Sequence, residues 1–153
     1  MNKLVFLLFL FFSWGAQTHN QSSSCTLNKI FGVWQYYKFI YEGKEHPPLH
    51  PDLQMIFEFN PNGTNRLYWT YKGQNLFCER KGQYIYKDCV LLDKITWVNP
   101  NNSPNCASDP DMRKGRITKT KLQIINGELY LWLSLAGKPF IYVWRKKTRP
   151  APN

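Results

Sequence analysis

The chain has 153 residues, 43% hydrophobic and 16% aromatic, which is enough apolar mass for one packed core and too little for two. Charged residues make up only 20%, so the balance of burial against chain ordering excludes a disordered protein. Lys and Arg number 20 against 10 Asp and Glu, a net of +10 that favours anionic partners without naming one.

Lys3 precedes the apolar run Leu4-Val5-Phe6-Leu7-Leu8-Phe9-Leu10-Phe11-Phe12, and Ser13-Trp14-Gly15-Ala16 follows. That order of charge, apolar centre and small residues is expected of a secretory signal. Residues 1–19 are read as the signal, with cleavage near 15–19, 20–25 as a polar linker, 26–146 as the folded domain and 147–153 as a basic tail. The apolar run falls short of the roughly 20 residues a membrane-crossing helix needs, and no later stretch approaches that length, so no integral span is expected.

Export implies a secreted or periplasmic location in an oxidising compartment. Cys25, Cys78, Cys89 and Cys106 all follow the signal, and an even number there points to two disulfides, with three pairings open. Cys25 has a second reading, as the lipidated first residue of a bacterial lipoprotein. The Ser22 three positions earlier, where an aliphatic residue is usual, argues against it. Asn20, Asn62 and Asn101 each head a glycosylation triplet, which marks surface loops.

Past the linker there is no long stretch with helical apolar spacing, and short runs rich in β-branched and aromatic residues alternate with turn signals. The first predicted strand is 33–41, ended by Glu42-Gly43-Lys44. In 53–60, Met55, Phe57 and Phe59 alternate with Gln54 and Glu58. Pro61-Asn62-Gly63 then turns the chain into 64–72, where Leu67, Trp69 and Tyr71 alternate with Arg66, Thr70 and Lys72. Gly73 and Gly82 punctuate two shorter runs, 76–81 and 84–86, and 90–98 is another apolar run before the Pro- and Asn-rich loop 99–111. Asn126-Gly127 between 118–125 and 128–135 is the strongest hairpin signal, because Asn-Gly readily takes two successive positive φ angles. The run 140–144 closes the domain. Residues 129–135 and 140–145 carry apolar side chains at both parities, which leaves their faces unassigned.

These segments amount to about eight strands joined mainly by short hairpins. The predicted class is all-β, an antiparallel up-and-down eight-stranded barrel, with a sandwich as the alternative; closure removes the unpaired sheet edges. The layout requires Gly32-Val33-Trp34 to lie beside the segment 140–144.

Gly32-Val33-Trp34 at the start of the first strand, preceded by Leu27-Asn28-Lys29-Ile30-Phe31, and Trp144-Arg145 at the end of the last resemble the lipocalins and lipocalin-like proteins. The turn Phe57-Glu58-Phe59-Asn60-Pro61-Asn62-Gly63-Thr64 is similar to one in many small bacterial members. The resemblance spans about residues 27–146. It implies a calycin-type barrel whose base is crossed by the Trp34 indole, with Gly32 beside it and Arg145 packed on the ring.

An eight-stranded barrel is either filled by its own side chains or just wide enough for one small ligand. If Trp34 points inward, period two brings Tyr36, Lys38 and Ile40 to the same side, joined by Met55, Phe57, Phe59, Leu67, Trp69 and Tyr71. This lining suits a small hydrophobic molecule held at its polar end by a tyrosine or Lys38.

Catalysis has little support: His19, His46 and His50 are the only histidines, no serine sits in a nucleophile-elbow pattern, and no cofactor is implied. The prolines of Glu45-His46-Pro47-Pro48-Leu49-His50-Pro51-Asp52 prevent the helical spacing that would join both imidazoles on a metal. Asp109-Pro110-Asp111 lacks the ligand count of a calcium loop and reads as a turn. Arg113-Lys114-Gly115-Arg116, with Lys119 and Lys121 beyond, and Arg145 to Arg149 form basic clusters suited to an anionic surface or glycan; export disfavours nucleic acid. The leading expectation is a non-enzymatic binder of a small hydrophobic molecule. The alternative is an interaction module, inhibitor or adhesin-like, with a filled barrel and a functional loop or basic rim at 99–116.

Overall fold

The computed structural model describes residues 23–73 and 77–148, so the predicted signal segment, Leu76 and the end of the basic tail lie outside the described residues. The strands are β1 Ser23–Ser24, β2 Gly32–Tyr41, β3 Lys44–His46, β4 Leu53–Phe59, β5 Thr64–Tyr71, β6 Phe77–Lys87, β7 Val90–Val98, β8 Ile117–Ile125, β9 Glu128–Leu135 and β10 Lys138–Lys146, with one short helix, α1, at Leu27–Ile30. From β4 to β10 each strand pairs antiparallel with the next, β2 pairs with β4, and β10 returns to β2. Eight strands, β2 and β4 to β10, therefore form the closed barrel that the hairpin order predicts. The closing ladder sets Lys146 opposite Trp34 and Phe140 opposite Tyr41.

Two further strands were not foreseen. β3 folds back on the far end of β2, with His46 opposite Phe39 and the two rings stacked 5.0 Å apart. β1 pairs with Ile124 and Ile125 of β8, so part of the segment read as a linker belongs to the sheet. The hairpin at Asn126-Gly127 has φ of 52° and 83° at its two loop residues, the positive pair that this dipeptide accommodates. Gly82 does not end a strand. It lies within the single long strand β6, next to a bulge that leaves Thr96 of β7 unmatched between the pairs Lys81–Trp97 and Gly82–Ile95.

A second bulge changes which side chains face inward. Trp144 pairs with Tyr36 and Val143 with Lys38, so Tyr37 is an extra residue in β2. Before it Trp34 and Tyr36 are buried inside the barrel; after it Phe39 takes the inward position, its ring 5.1 Å from that of Phe140. Lys38 and Ile40, predicted to line the interior, are shifted to the outer face, because one inserted residue reverses a period of two.

One end of the barrel is plugged. Trp34 is 1% exposed and its indole N–H donates to the Ile30 carbonyl at 2.7 Å, so α1 caps the base. The cation over this indole is Lys146, with Nζ 5.4 Å from the ring, and not Arg145. Arg145 sits opposite Gln35 with the reverse parity and lies over the outer ring of Tyr37 at 5.5 Å. A Cβ on Gly32 would stand 3.0 Å from Cε of Lys146, so glycine there admits the lysine stem beneath the indole. Tyr84 and Tyr86 complete the plug, donating to the carbonyls of Asn60 and Leu122 at 2.7 and 2.9 Å, and burial raises both hydroxyls to about 12.

Disulfides fasten each end. Cys25–Cys89 joins the start of the domain to the β6–β7 turn at the base, and Cys78–Cys106 ties the long loop after β7 to β6 at the mouth. Within that loop Pro104–Ser108 and Pro110–Met112 form short 3-10 helices, and Met112 packs on the Cys78–Cys106 bridge and Trp69.

Glu79 holds the same loop from outside. Its carboxylate accepts from Nε of Arg66 and Nδ2 of Asn99, both at 2.6 Å, and its backbone N–H donates to Asn102 at 2.7 Å. Burial alone would raise the pKa of this carboxyl, but the bonds from Arg66 and Asn99 outweigh it and hold the group below the usual carboxylate range. A lowered folded-state pKa contributes stability that is complete above the unfolded pKa and is lost as pH falls through the folded one. Glu79→Gln is therefore expected to cost about 1–3 kcal/mol at neutral pH, a gap that closes on acidification. Urea unfolding of both proteins across pH 2–7 reads this directly; a gap independent of pH would contradict it.

Candidate functional site

Above the base plug the barrel holds a cavity of about 860 Å³. One wall comes from β4 and β5, where Met55, Phe57, Leu67, Trp69 and Tyr71 face it as the alternation predicts. Leu131, Leu133, Tyr142 and Trp144 of β9 and β10 form the opposite wall. Tyr36 is absent from this lining because its ring packs edge-on against Tyr142 at 4.8 Å and Trp144 at 5.7 Å. Lys38 lies outside, bonded to Glu45 at 2.8 Å and 3.7 Å from Glu128. Burial works to lower its pKa, but Glu45, Tyr37 and Glu128 push it up, so it remains a cation of the outer face. Ile40 sits in the same outer row, opposite Glu45 of β3.

The cavity opens at the mouth and along one side. The β8–β9 ladder runs from Ile125–Glu128 to Lys121–Trp132 and stops there. Beyond that point Thr118 and Thr120 diverge from Leu133 and Ser134, and all four line the cavity. Ile117 and Leu133, exposed by 60% and 37%, form apolar lips on this slot.

The deep half holds charged residues that the sequence reading did not single out. Arg80 and Asp93 are 4% and 3% exposed, face the cavity, and pair at 2.8 Å. Asn65, also buried, donates to Asp93 at 2.7 Å and accepts from Arg80 at 3.2 Å. A Cβ on Gly82 would stand 2.7 Å from Oδ1 of Asp93 and 2.8 Å from Oδ1 of Asn65, so Gly82 makes room for the network. The Arg80 guanidinium lies 5.5 Å from the centre of the Phe57 ring. Among the described residues, Nε of Arg80 and Nε1 of Trp144 are buried side-chain nitrogens without a hydrogen-bond partner, packed within the wall rather than facing the cavity.

The mouth is polar. Asp109, Asp111 and Arg116 line it from the long loop, with Arg116 3.7 Å from Asp111. Asp109 accepts from the Asp111 N–H at 2.8 Å, the turn role expected of Asp109-Pro110-Asp111. Burial first, then the Asp109 and Asp111 charges, raise the Tyr142 hydroxyl, which stays protonated inside the cavity. The predicted basic cluster divides: Arg116 and Lys119 border the cavity, while Lys121 lies over Trp132 at 4.7 Å. Among the described residues, no group of three or more His, Cys, Asp or Glu is placed to hold a metal ion.

The chain is similar to a lipocalin-like protein from Bacteroides uniformis ATCC 8492, whose crystal structure superposes with a TM-score of 0.52 at 17% identity, over 78% of this chain and 99% of that one. At that identity the likeness establishes the fold alone: a lipocalin-like, calycin-type antiparallel barrel, able in principle to enclose a ligand. No family model and no curated protein matches the sequence.

Proposed function

We propose that this lipocalin-like barrel is an exported, non-enzymatic binder that encloses one small hydrophobic molecule between its base plug and its mouth. The observation that carries this reading is the cavity of about 860 Å³ behind an apolar wall, in the size range of small-molecule sites. A filled barrel acting only through its rim would have no such space. The two disulfides support an oxidising destination, secreted or periplasmic. A lipid anchor on Cys25 would compete with the Cys89 bridge for one sulfur.

The test is native mass spectrometry of the oxidised protein after incubation with a cell lipid extract. We expect a stoichiometric adduct of one small molecule, released by organic solvent. The bare mass alone, at every extract concentration, would overturn the reading and return the function to the loop and basic rim at 99–116.

A further inference from the structure

The outer face of β6, β7 and β8 carries a pattern that the cavity does not use. Tyr84, Tyr86, Leu91, Asp93 and Ile95 are buried, and the residues alternating with them are turned outward and exposed: Lys81, Gln83, Ile85 and Lys87 on β6, and Leu92 and Lys94 on β7. Ile117, Lys119 and Lys121 continue the face on β8. The register arranges these side chains in rows across the strands. Ile85 stands opposite Leu92, which stands opposite Lys119; Gln83 stands opposite Lys94, which stands opposite Ile117. Lys81 pairs with Trp97 and lies over its ring at 4.8 Å, as Lys121 lies over Trp132 at 4.7 Å. Aliphatic tips exposed by 66% at Ile85, 40% at Leu92 and 60% at Ile117 are thus set among ammonium groups.

No carboxylate answers these charges. Among the described residues, Lys81, Lys87, Lys94, Lys119 and Lys121 take part in no ion pair. Asp93 is turned inward onto Arg80, and Glu79, the acid beside Lys81, accepts from Arg66 and Asn99. Asp88 borders the face from the β6–β7 turn. Like charges crowded on one side of a sheet repel, and an anionic partner relieves that repulsion.

The residue types narrow the partner. Every cation on this face is a lysine, whereas protein interfaces are depleted in lysine and enriched in arginine, and planar bidentate recognition of phosphate or carboxylate favours arginine. Ile85, Leu92 and Ile117 offer no hydrogen bond or stacking surface to a glycan or a nucleic acid strand. A lipid surface uses both kinds of side chain, because phosphate headgroups attract the ammonium groups while aliphatic tips enter the boundary beneath them. Ile117 is also a lip of the lateral slot, so the face runs continuously into the side opening of the barrel.

We propose that the outer face of β6–β8 docks the protein on an anionic lipid bilayer, with Lys81, Lys87, Lys94, Lys119 and Lys121 at the headgroups and Ile85, Leu92 and Ile117 dipping between them.

Co-sedimentation of the oxidised protein with vesicles tests this. Binding is expected to vesicles of phosphatidylcholine mixed with phosphatidylglycerol, little to phosphatidylcholine alone, and release by high salt. Lys94→Gln with Lys119→Gln should weaken binding about tenfold or more, since each lysine at an anionic surface contributes roughly fivefold. Lys44→Gln with Lys147→Gln removes the same charge beside β2, which lies across the barrel from β7, and should weaken it by about twofold at most. Ile85→Ser with Ile117→Ser leaves the charge unchanged and should weaken binding about tenfold through lost apolar contact; if that variant fails to fold, Leu92→Gln tests the same contact. Equal losses from the two lysine pairs would assign the binding to net charge and overturn the face. Full binding by the aliphatic variant, with heparin bound as tightly as the vesicles, would make the partner an anionic polymer and overturn the bilayer. Absence of binding to the anionic vesicles at any lipid concentration would overturn the proposal outright. None of these outcomes depends on what the cavity holds, so each leaves the ligand reading to its own test.

Discussion

Asp93→Ala is expected to cost about 3–5 kcal/mol of folding stability, the usual penalty for stranding one member of a buried ion pair. The Arg80 guanidinium is 5% exposed and pairs with Asp93 at 2.8 Å, so removing the carboxylate leaves a buried cation with only the carbonyl oxygen of Asn65 beside it. The double replacement Arg80→Met with Asp93→Leu removes both charges and keeps apolar bulk. It should be much less destabilising than the single change, because the large term in the single variant is the orphaned charge and not the lost attraction. Guanidinium unfolding of the wild type, Arg80→Met, Asp93→Leu and the double variant completes the cycle, with Asp93→Ala measured beside them. A cost below about 1 kcal/mol for Asp93→Ala would mean that water from the cavity solvates Arg80 freely, and the pair would not be a fixed part of the floor.

The second large effect is at the mouth. Cys78 and Cys106 are 28 residues apart, and bridging a loop of that size restricts the unfolded chain by about 3–4 kcal/mol on the chain-entropy account. Replacing both with Ser should lower the unfolding midpoint by about 10–15 °C for a domain of this size. It should also raise hydrogen exchange in 104–112, where the two short helices depend on the bridge and on Met112 packed against it. Calorimetry and exchange mass spectrometry report these separately. Unchanged exchange in 104–112 would show that Glu79 and Asn102 alone suffice to hold the loop. The Cys25–Cys89 bridge closes a longer interval of 64 residues, but it lies at the base, so its loss should leave exchange at the mouth unchanged.

What the sequence made legible follows from local chemistry. Asn126-Gly127 and Pro61-Asn62-Gly63 fix hairpins through backbone preferences that hold wherever they occur. Met55, Phe57, Leu67, Trp69 and Tyr71 fall on the cavity wall because no bulge interrupts β4 or β5. The failures come from long-range pairing. Tyr37 is extra only because β10, a hundred residues later, pairs Val143 with Lys38 and Trp144 with Tyr36; nothing in 33–41 marks it. The same parity decides between Lys146 and Arg145 at the Trp34 ring, since the last strand carries bulky or cationic residues at both phases. Gly82 reads as a break until the polar atoms beside it are known.

The buried charges had a signal that could have been used. Asp93 stands in phase with Leu91 and Ile95, and Arg80 with Gly82, Tyr84 and Tyr86, each the odd polar member of an inward row. An acid and a base, each out of character in its own apolar row, are candidates for a buried pair once β6 and β7 are known to be neighbours. The unpartnered nitrogens of Arg80 and Trp144 had no such signal, because orientation around a side-chain bond is not written in residue order.

At the plugged pole, β1 lies beside Ile124 and Ile125, and the Lys147 amide bonds to the Val33 carbonyl at 2.8 Å. Both termini of the described chain therefore leave from the side opposite the opening. A fusion partner, resin or scaffold attached through either terminus would hold the barrel with its aperture facing outward, clear of the tether.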